Sequence, residues 1–272
     1  GQFSPPTGSE MFLAMFEPDN WHVQDVVFHP NGLHAFIIEW DEDEQTTAFS
    51  PRSSLPASLQ EGLIAYYPFN GNANDESGNG NHGEVHGATL ASDRVSRKNT
   101  AYEFDGVSDY ISIIHSKYLD FASHDSFSFS LWVKPTRLEN GNAFISKWQS
   151  DGTHGYLLRL IDNAGGIEFG EGRAPGSKGI VAEKALMLSD WQQIGIVHRN
   201  GNADLYRNGL LLARGPSKFS KNEDYITIGR DYTVASLKEP RRLFAGSIDD
   251  VRIYNRALSA EEVKALYEFE KP

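Results

Sequence analysis

From residue 61 onward, apolar and polar residues alternate in short runs that are separated by turn residues. In the run Phe127–Val133 every second residue is apolar and faces one way, while Ser128, Ser130 and Trp132 face the other. Asn-Gly dipeptides tolerate the positive φ of tight turns, and they begin at residues 70, 79, 140, 200 and 208. Evenly spaced strands with glycine-rich turns predict an all-β fold, a two-sheet jelly-roll β-sandwich.

The C-terminal stretch Gly246–Val263 predicts a closing strand that runs into a short helix. Ser259 and Glu262 have the spacing of a capping box, in which each side chain accepts a backbone N–H at the helix start. The closing strand carries two carboxylates, and a carboxylate inside a core strand needs a compensating positive charge. Because strand side chains alternate, Asp249 and Asp250 are expected to point in opposite directions.

The first fifth of the chain has a different pattern. Val23–Phe28 and Leu33–Trp40 flank a turn with hairpin residues, and this predicts a small N-terminal β-hairpin unit. We therefore divide the chain into an arm with an acidic β-unit (1–52), a Ser/Pro-rich linker (53–60) and the sandwich (61–272).

Charge separates the same two regions. The 272 residues carry a net charge of −12, and residues 1–60 hold nine acids and one base. This balance argues against nucleic acid and anionic membranes as partners. The chain has no cysteine, which excludes disulfides. It has no apolar run long enough to span a membrane. The longest apolar run, Met11–Phe16, could instead add a strand to the sheet edge of a neighbouring chain.

Eight segments in order resemble the laminin-G-like, concanavalin-A-type lectin/glucanase superfamily, over residues 61–269. The resemblance implies the jelly-roll sandwich and an extracellular or cell-surface location. It does not extend to residues 1–60. The segments are Tyr66–Phe69, Asp75–Gly80, Tyr102–Tyr110, Phe127–Val133, Phe144–Trp148, Asp190–Gln193, Leu205–Gly209 and the closing strand.

A structural calcium ion is the first candidate for a site. Calcium prefers six to eight oxygen ligands, and Asp75 lies in a loop rich in Asn and Gly that can expose carbonyls. Asp105 and Gly106 form a second such loop. The resemblance adds Asp249, because related sandwiches hold calcium with an acid on the last strand. The alternative is that Asp75 and Asp105 only brace their turns through side-chain hydrogen bonds.

Exposed aromatic side chains are the second candidate, because sugar rings stack on Trp and Tyr. We expect Trp132 and Trp191 to be structural. His82, His86 and His198 are interpreted as surface or turn residues. The predicted glycan-binding residues lie in loops that we expect to rim one sheet, and they are Trp148, Tyr156, Arg173, Arg230, Asp231 and Tyr232.

These patterns predict a non-catalytic, calcium-stabilised carbohydrate-binding domain whose partner is a glycan or polysaccharide. The alternative is a structural or adhesive component of a surface, filament or virion that assembles with itself or a neighbouring chain through residues 1–52. A third reading is a polysaccharide-cleaving enzyme. Glu39, Asp41 and Glu44 have the acid spacing that catalytic members of the resembled superfamily carry, but they fall before the sandwich in an acidic turn.

Overall fold

The computed structural model separates the chain into two units, Gly1–Ser53 and Ser54–Pro272. In the first unit it describes the backbone of two strands. β1 (Phe28–His29) pairs antiparallel with β2 (Gly32–Leu33), so the predicted hairpin is confirmed at these residues. The acids Glu39, Asp41 and Glu44 lie outside the described residues. In the second unit the structure describes residues 55–148, 155–170, 179–231 and 243–272, with only the backbone of residue 148.

The second unit is a two-sheet sandwich, which confirms the predicted fold class. Its elements, in chain order, are α1 (Ala57–Gln60), β3 (Leu63–Tyr67), β4 (Gly83–His86), β5 (Thr89–Ala91), β6 (Ala101–Asp105), β7 (Tyr110–Ile113), a 3-10 turn (Lys117–Leu119), β8 (Phe127–Pro135), β9 (Ala143–Trp148), β10 (Gly155–Leu160), β11 (Ile167–Gly170), β12 (Ile180–Ala182), β13 (Gln192–Arg199), β14 (Asn202–Arg207), β15 (Leu210–Pro216), β16 (Ile226–Ile228), β17 (Ala245–Tyr254) and α2 (Ala260–Glu270).

Both sheets are antiparallel in their described strands. One sheet has seven strands in the order β12-β11-β10-β9-β16-β7-β4. The other has eight, in the order β15-β14-β13-β8-β17-β6-β5, with β3 paired to β17. The closing strand β17 therefore has three partners: β8 along one side, and β6 and β3 in succession along the other.

The core between the sheets follows the predicted alternation. On β8, the side chains of Phe127, Phe129 and Leu131 are buried in the core cluster that also includes residues of the seven-stranded sheet. The intervening Trp132 instead contacts α2 through its indole N–H, which lies 2.7 Å from a carboxylate oxygen of Glu270. Thus α2 covers the outer face of the eight-stranded sheet.

The predicted linker 53–60 is wrong in its second half. Residues Ala57–Gln60 form a helical turn, and the side chain of Leu59 is fully buried in a small cluster with Leu258 and Val263. Burial of an apolar side chain under α2 removes its surface from water, and this stabilises the folded chain. This part of the segment therefore belongs to the sandwich.

Helix α2 begins where its capping box predicts. The Ser259 side chain accepts the backbone N–H of Glu262, and the Glu262 carboxylate accepts the backbone N–H of Ser259. Val263 and Leu266 are buried against the sheet. No helix in the described part of the chain is long and apolar enough to cross a membrane.

Candidate functional site

The outer face of the seven-stranded sheet carries polar and aromatic residues, and we call it the open face. On β7, Ile111 and Ile113 are buried in the core, so Tyr110 and Ser112 project from the other side. Strand register places Glu84 of β4 opposite Ser112. The open face is thus defined by alternate residues of β4, β7 and their neighbours.

Three side chains from separate strands and turns stack at one end of the open face. The guanidinium carbon of Arg230 lies 3.6 Å from the centroid of the Tyr110 ring. The His86 ring stacks on the same tyrosine at 4.2 Å and 14°. Groups this close to one ring must occupy its opposite faces, so Tyr110 is clamped between them. Ser112 hydrogen-bonds His86 Nε2 at 2.9 Å and fixes the imidazole.

The other end of the open face is apolar and exposed. Strand pairing places Ile113 opposite Ile226, so the next opposing positions are Ile114 and Tyr225. Their exposed fractions are 71% and 53%. Exposed apolar side chains that lie next to one another, as Ile114 and Tyr225 do across the strand pair, are typical of binding surfaces.

A buried ammonium group ties together the loops beneath this end. Lys147 Nζ donates to the carbonyls of Asn222 at 2.6 Å and Asp224 at 2.9 Å, and to the Asn222 side-chain oxygen at 3.1 Å. His115 Nδ1 lies 3.2 Å away and an Asp120 carboxylate oxygen 3.6 Å away. Burial lowers the pKa of Lys147, against the opposing effect of Asp120. The protein thus carries a cation of its own within this group of oxygens.

The predicted glycan-binding residues do not form one rim in the described part of the chain. Arg230 lies on the open face. Asp231 is buried, with 3% of its surface exposed. Tyr156 is fully buried, with its ring 5.1 Å from Phe129 and 6.1 Å from Phe127. The prediction for Tyr156 is therefore wrong, since a side chain inside the sandwich cannot stack on a surface ligand.

Three more of the predicted residues cannot be placed. The side chain of Trp148 and all of Arg173 and Tyr232 lie outside the described residues. The backbone of Trp148 ends β9, opposite Gly155. Since Ser146 pairs with Thr227, the register brings residue 148 to the row of Tyr225.

Asp75 is the best-anchored of the predicted calcium ligands. Its carboxylate accepts the backbone N–H groups of Tyr66, Ser77 and Asn81, each at 2.9 Å. Burial pushes the pKa of the Asp75 carboxyl up, but these hydrogen bonds outweigh it and hold the pKa below its usual range. The side chain therefore fixes its own loop through backbone donors.

Asp105 has a similar local role. Its carboxylate accepts the backbone N–H of Val107 at 2.7 Å and of Ser108 at 2.8 Å. The Gly106 carbonyl accepts a long hydrogen bond of 3.4 Å from Arg137. Both Asp75 and Asp105 thus make the turn-bracing hydrogen bonds that we gave as the alternative to calcium.

Asp249 belongs to a buried charge network on the outer face of the eight-stranded sheet, which we call the closed face. Arg94 Nη1 lies 2.5 Å from Asp249 and Nη2 lies 2.7 Å from Asp250. The expectation that these two acids point in opposite directions is therefore wrong. A bulge interrupts β17 between Asp249 and Arg252, and Asp250 has a positive φ of 46°, so both carboxylates meet one guanidinium.

The network continues into α2. Arg252 pairs with Glu270, whose second oxygen accepts the side-chain N–H groups of Trp132 at 2.7 Å and Gln193 at 2.8 Å. Tyr66 donates to Asp250 at 2.7 Å. Burial raises the pKa of Asp249, and its neighbour Asp250 adds to the effect against the pull of Arg94. The closed face is thus filled by its own paired charges.

The residues predicted to bind calcium do not fit a shared ion. Within the described ranges no three His, Asp or Glu side chains lie together in a way that could hold a metal. Asp249 faces the Arg94 cation, and Asp75 and Asp105 face N–H donors. Calcium binding by this chain stays a prediction.

The structure changes the interpretation of two histidines, His198 and His86. His198 is fully buried and stacks on Phe127 at 4.8 Å, so its interpretation as a surface or turn residue is wrong. His86 is a strand residue of the open face. In the sequence, His86 and Glu84 alternate on a short polar strand, and this pattern could have placed both on an outer face. The stacking of His86 on Tyr110 depends on strand register, which the sequence does not reveal.

The sequence of this chain matches the model of the Concanavalin A-like lectin/glucanases superfamily, of the Laminin_G_3 type, over residues 105–264. This is more than half of the chain, and the chain belongs to that superfamily. The suspected resemblance is confirmed.

Solved structures of similar fold include a carbohydrate complex. Domain 4 of AbnA, a GH43 extracellular arabinanase from Geobacillus stearothermophilus, in complex with arabinotriose, is 23% identical with a TM-score of 0.57. The likeness covers 75% of this chain and 98% of that domain.

Two toxin binding domains are also similar in fold. The binding domain of Paraclostridial Mosquitocidal Protein 1 is 19% identical with a TM-score of 0.61, covering 77% of this chain and 52% of that one. The botulinum neurotoxin serotype D binding domain is 18% identical with a TM-score of 0.60, covering 78% and 53%. This chain thus spans about half the length of each toxin domain, and at these identities the likeness concerns the fold alone.

Proposed function

We propose that this protein is a non-catalytic, extracellular carbohydrate-binding domain and that its glycan lies on the open face. The observation that carries the proposal is the contrast along β7. A clamped polar stack of Arg230, Tyr110 and His86 lies at one end, and exposed Ile114 and Tyr225 lie at the other. Sugars need both kinds of contact, because their rings present hydroxyl groups at the edges and apolar C–H groups on the faces.

The stack is suited to hydroxyl recognition. The guanidinium of Arg230 and the imidazole of His86 are held by Tyr110 and Ser112 before any ligand arrives. Donors that are already fixed lose little conformational entropy on binding. Since both faces of Tyr110 are covered, the ring positions its neighbours, and the hydrogen bonds to the sugar come from those neighbours.

The exposed end is suited to stacking. Tyr225 leaves more than half of its surface open. Tyr110 and Ile114 are four residues apart on an extended strand, a span of about 13 Å. The open face therefore favours an oligosaccharide over a single sugar.

The comparisons support the same class of ligand. Domain 4 of the Geobacillus stearothermophilus arabinanase was solved with arabinotriose. The non-catalytic part of the proposal draws on the sequence, because the acid spacing of catalytic superfamily members falls at Glu39, Asp41 and Glu44, before the sandwich.

The test is a glycan array on the whole chain, followed by calorimetric titration with the best oligosaccharide and with arabinotriose. Tyr225→Ala should weaken binding about thirtyfold, which corresponds to about 2 kcal/mol for a stacked aromatic. Trp148→Ala, at a residue that the sequence predicts to bind glycan, should weaken binding as well. Leu210→Ala, an exposed apolar residue on the eight-stranded sheet, is the matched control and should bind as the unmodified chain does.

Two results would contradict the proposal. One is a chain that binds no glycan on the array. The other is a Tyr225→Ala variant with unchanged affinity together with a Tyr110→Leu variant with unchanged affinity. Release of shorter oligosaccharides from a bound polysaccharide would overturn the non-catalytic part alone.

We also propose, as the sequence suggested, that calcium stabilises the fold. A ligand present at about 100 times its Kd and bound to the folded state alone adds about 2.7 kcal/mol of stability. Chelation should then lower the melting temperature, and elemental analysis should find calcium. An unchanged melt and a metal-free protein would reject the idea.

A further inference from the structure

Three residues with side-chain hydroxyl groups form a row across the outer side of the seven-stranded sheet. Strand register pairs Ser112 of β7 with Thr227 of β16, and Thr227 with Ser146 of β9. Ile226 and Ile228 are buried in the core, so Thr227 and its two cross-strand neighbours project from the other side. We call these three residues the hydroxyl row.

Two members of the hydroxyl row converge on one backbone carbonyl. Thr227 Oγ1 donates to the carbonyl oxygen of Arg230 at 2.7 Å, and Ser146 Oγ donates to the same oxygen at 3.0 Å. The two hydroxyl oxygens lie 2.9 Å apart. Both side chains are almost fully buried. A carbonyl oxygen has two lone pairs, so it can accept both bonds, and burial keeps water from competing for it.

The chain turns at this carbonyl, and the residue before it is also held. Gly229 follows β16 with a φ of 83°, and an added Cβ would lie 2.5 Å from the Phe104 ring, so a larger residue would collide there. The Gly229 N–H donates to the carbonyl of Phe144 at 3.0 Å, and its carbonyl accepts the N–H of Phe244 at 2.8 Å. Anchors on the Gly229 and Arg230 peptide groups fix the backbone dihedrals of Arg230, and these restrict the directions that its side chain can take.

The remaining member of the hydroxyl row holds the other side of the stack. Ser112 Oγ hydrogen-bonds His86 Nε2 at 2.9 Å. The guanidinium carbon of Arg230 and the imidazole of His86 lie 3.6 Å and 4.2 Å from the centroid of the Tyr110 ring. Each group that contacts Tyr110 is therefore supported by the hydroxyl row, His86 through its side chain and Arg230 through its backbone.

We infer that Thr227 and Ser146 are positioning residues, which hold Arg230 over Tyr110 and so prepare the polar end of the open face for a sugar hydroxyl group. Their effect on Arg230 is independent of any ligand, whereas their effect on affinity rests on the proposed glycan-binding function. An arginine that is already ordered loses less conformational entropy when a ligand binds. Releasing it should weaken the affinity about three- to tenfold.

The first readout needs no ligand. Protons held over an aromatic ring resonate upfield in NMR spectra, so the δ-methylene protons of Arg230 report its place over Tyr110, and Tyr110→Leu gives their reference position without the ring. Thr227→Val keeps the side-chain shape but removes the hydroxyl, and it should move these resonances toward that reference. Adding Ser146→Ala should move them further. Thr227→Ser retains the hydroxyl and should keep the upfield position.

Calorimetric titration supplies the second readout. The probe is arabinotriose, or the oligosaccharide that binds most tightly on the glycan array if arabinotriose does not bind. Thr227→Val should bind it about three- to tenfold more weakly. Thr227→Ser should bind it as the unmodified chain does, because the hydroxyl that holds Arg230 is still present.

Ser128→Ala is the matched control. Ser128 is also a buried strand serine, and its Oγ donates to the carbonyl of an arginine, Arg256, at 2.9 Å, but on the eight-stranded sheet. This variant should lower the melting temperature at least as much as Ser146→Ala does. It should leave both the Arg230 resonances and the oligosaccharide affinity unchanged.

Arg230 resonances that stay upfield in the combined Ser146→Ala and Thr227→Val variant would overturn the inference. An equal loss of the upfield position in Thr227→Ser would overturn it too, since the methyl group of Thr227 would then matter and not its hydroxyl. Displaced resonances with unchanged affinity would overturn the role in binding. A chain whose resonances respond as expected but that binds no glycan would support the positioning of Arg230 and reject the proposed function, which separates the two.

Discussion

The two outer faces of this sandwich handle charged and aromatic residues in opposite ways. On the closed face, Arg94, Asp249 and Trp132 are almost completely buried, and each side chain satisfies another. On the open face, Tyr110 and His86 are only half-buried and Tyr225 is exposed. Similar residue types are thus buried in a paired network on one face and remain accessible to solvent on the other.

The difference arises from what covers each sheet. Helix α2 lies over the closed face, and its last residue Glu270 supplies a carboxylate to Arg252 and Trp132. Removing charges from water is costly unless they pair, so a covered face must complete its own network. Aromatic and arginine content alone therefore does not locate a binding surface, because a face that lies beneath a helix cannot contact a ligand.

The largest expected effect comes from breaking the closed-face network. Arg94→Met would leave Asp249, Asp250 and Glu270 buried with Arg252 as their remaining guanidinium partner in the network. Removing one partner of a buried ion pair destabilises a protein by about 3–5 kcal/mol. Urea denaturation at neutral pH should show this loss, while oligosaccharide affinity of the remaining folded protein should not change.

Arg137→Met is the matched control for that substitution. Arg137 is 44% exposed and pairs with Glu139 at 3.4 Å, so its loss should change stability by at most about 1 kcal/mol. Equal losses of unfolding free energy in the two variants would show that the buried ion pairs of the closed face stabilise the fold no more than an exposed pair does.

How much of this could be read from the sequence depends on how local each feature is. The alternation of β8 and the capping box of α2 involve residues within a few positions of each other, and both predictions were right. Tyr156 was misplaced although Tyr156, Leu158 and Leu160 alternate, because a hydroxyl at a strand end suits a rim as well as a core.

Features that join distant segments could not be predicted. The bulge requires a positive φ at Asp250, a conformation that aspartate tolerates but does not predict. Asp249 and Asp250 also require Arg94 as their partner, and Arg94 lies 155 positions before Asp249 in the sequence. The stack on Tyr110 likewise combines residues from β4, β7 and the turn after β16. Only the strand order brings them together.

The second prediction concerns pH and the loop that Asp75 anchors. A carboxyl whose folded pKa is depressed stabilises the fold above its unfolded pKa of about 3.9, and this contribution is lost as the pH falls through the folded value. The Asp75 carboxyl is such a group. Asp75→Asn should cost about 1–3 kcal/mol at neutral pH, since an amide cannot accept all three N–H groups as a carboxylate does.

The same variant should depend less on pH below about pH 4 than the unmodified chain, because the titrating group is gone. Urea melts at neutral and acidic pH measure both effects. Asp190→Asn, at an exposed acid, is the control and should follow the unmodified profile. A steeper acid dependence in Asp75→Asn would contradict the assignment.

The smallest expected effect on stability is on the open face. Tyr110→Leu removes the ring between Arg230 and His86, and an exposed cation–π contact contributes about 0.5–1 kcal/mol. The core beneath is unchanged because Ile111 and Ile113 point the other way. We therefore expect a small shift in the melting temperature but a clear loss of oligosaccharide affinity, since Arg230 and His86 lose the group that positions them. Thermal melts and calorimetric titration on the same preparation separate the two effects. If Tyr110→Leu instead destabilises the fold as strongly as Arg94→Met while leaving affinity intact, the open face is architectural and the contrast between the two faces fails.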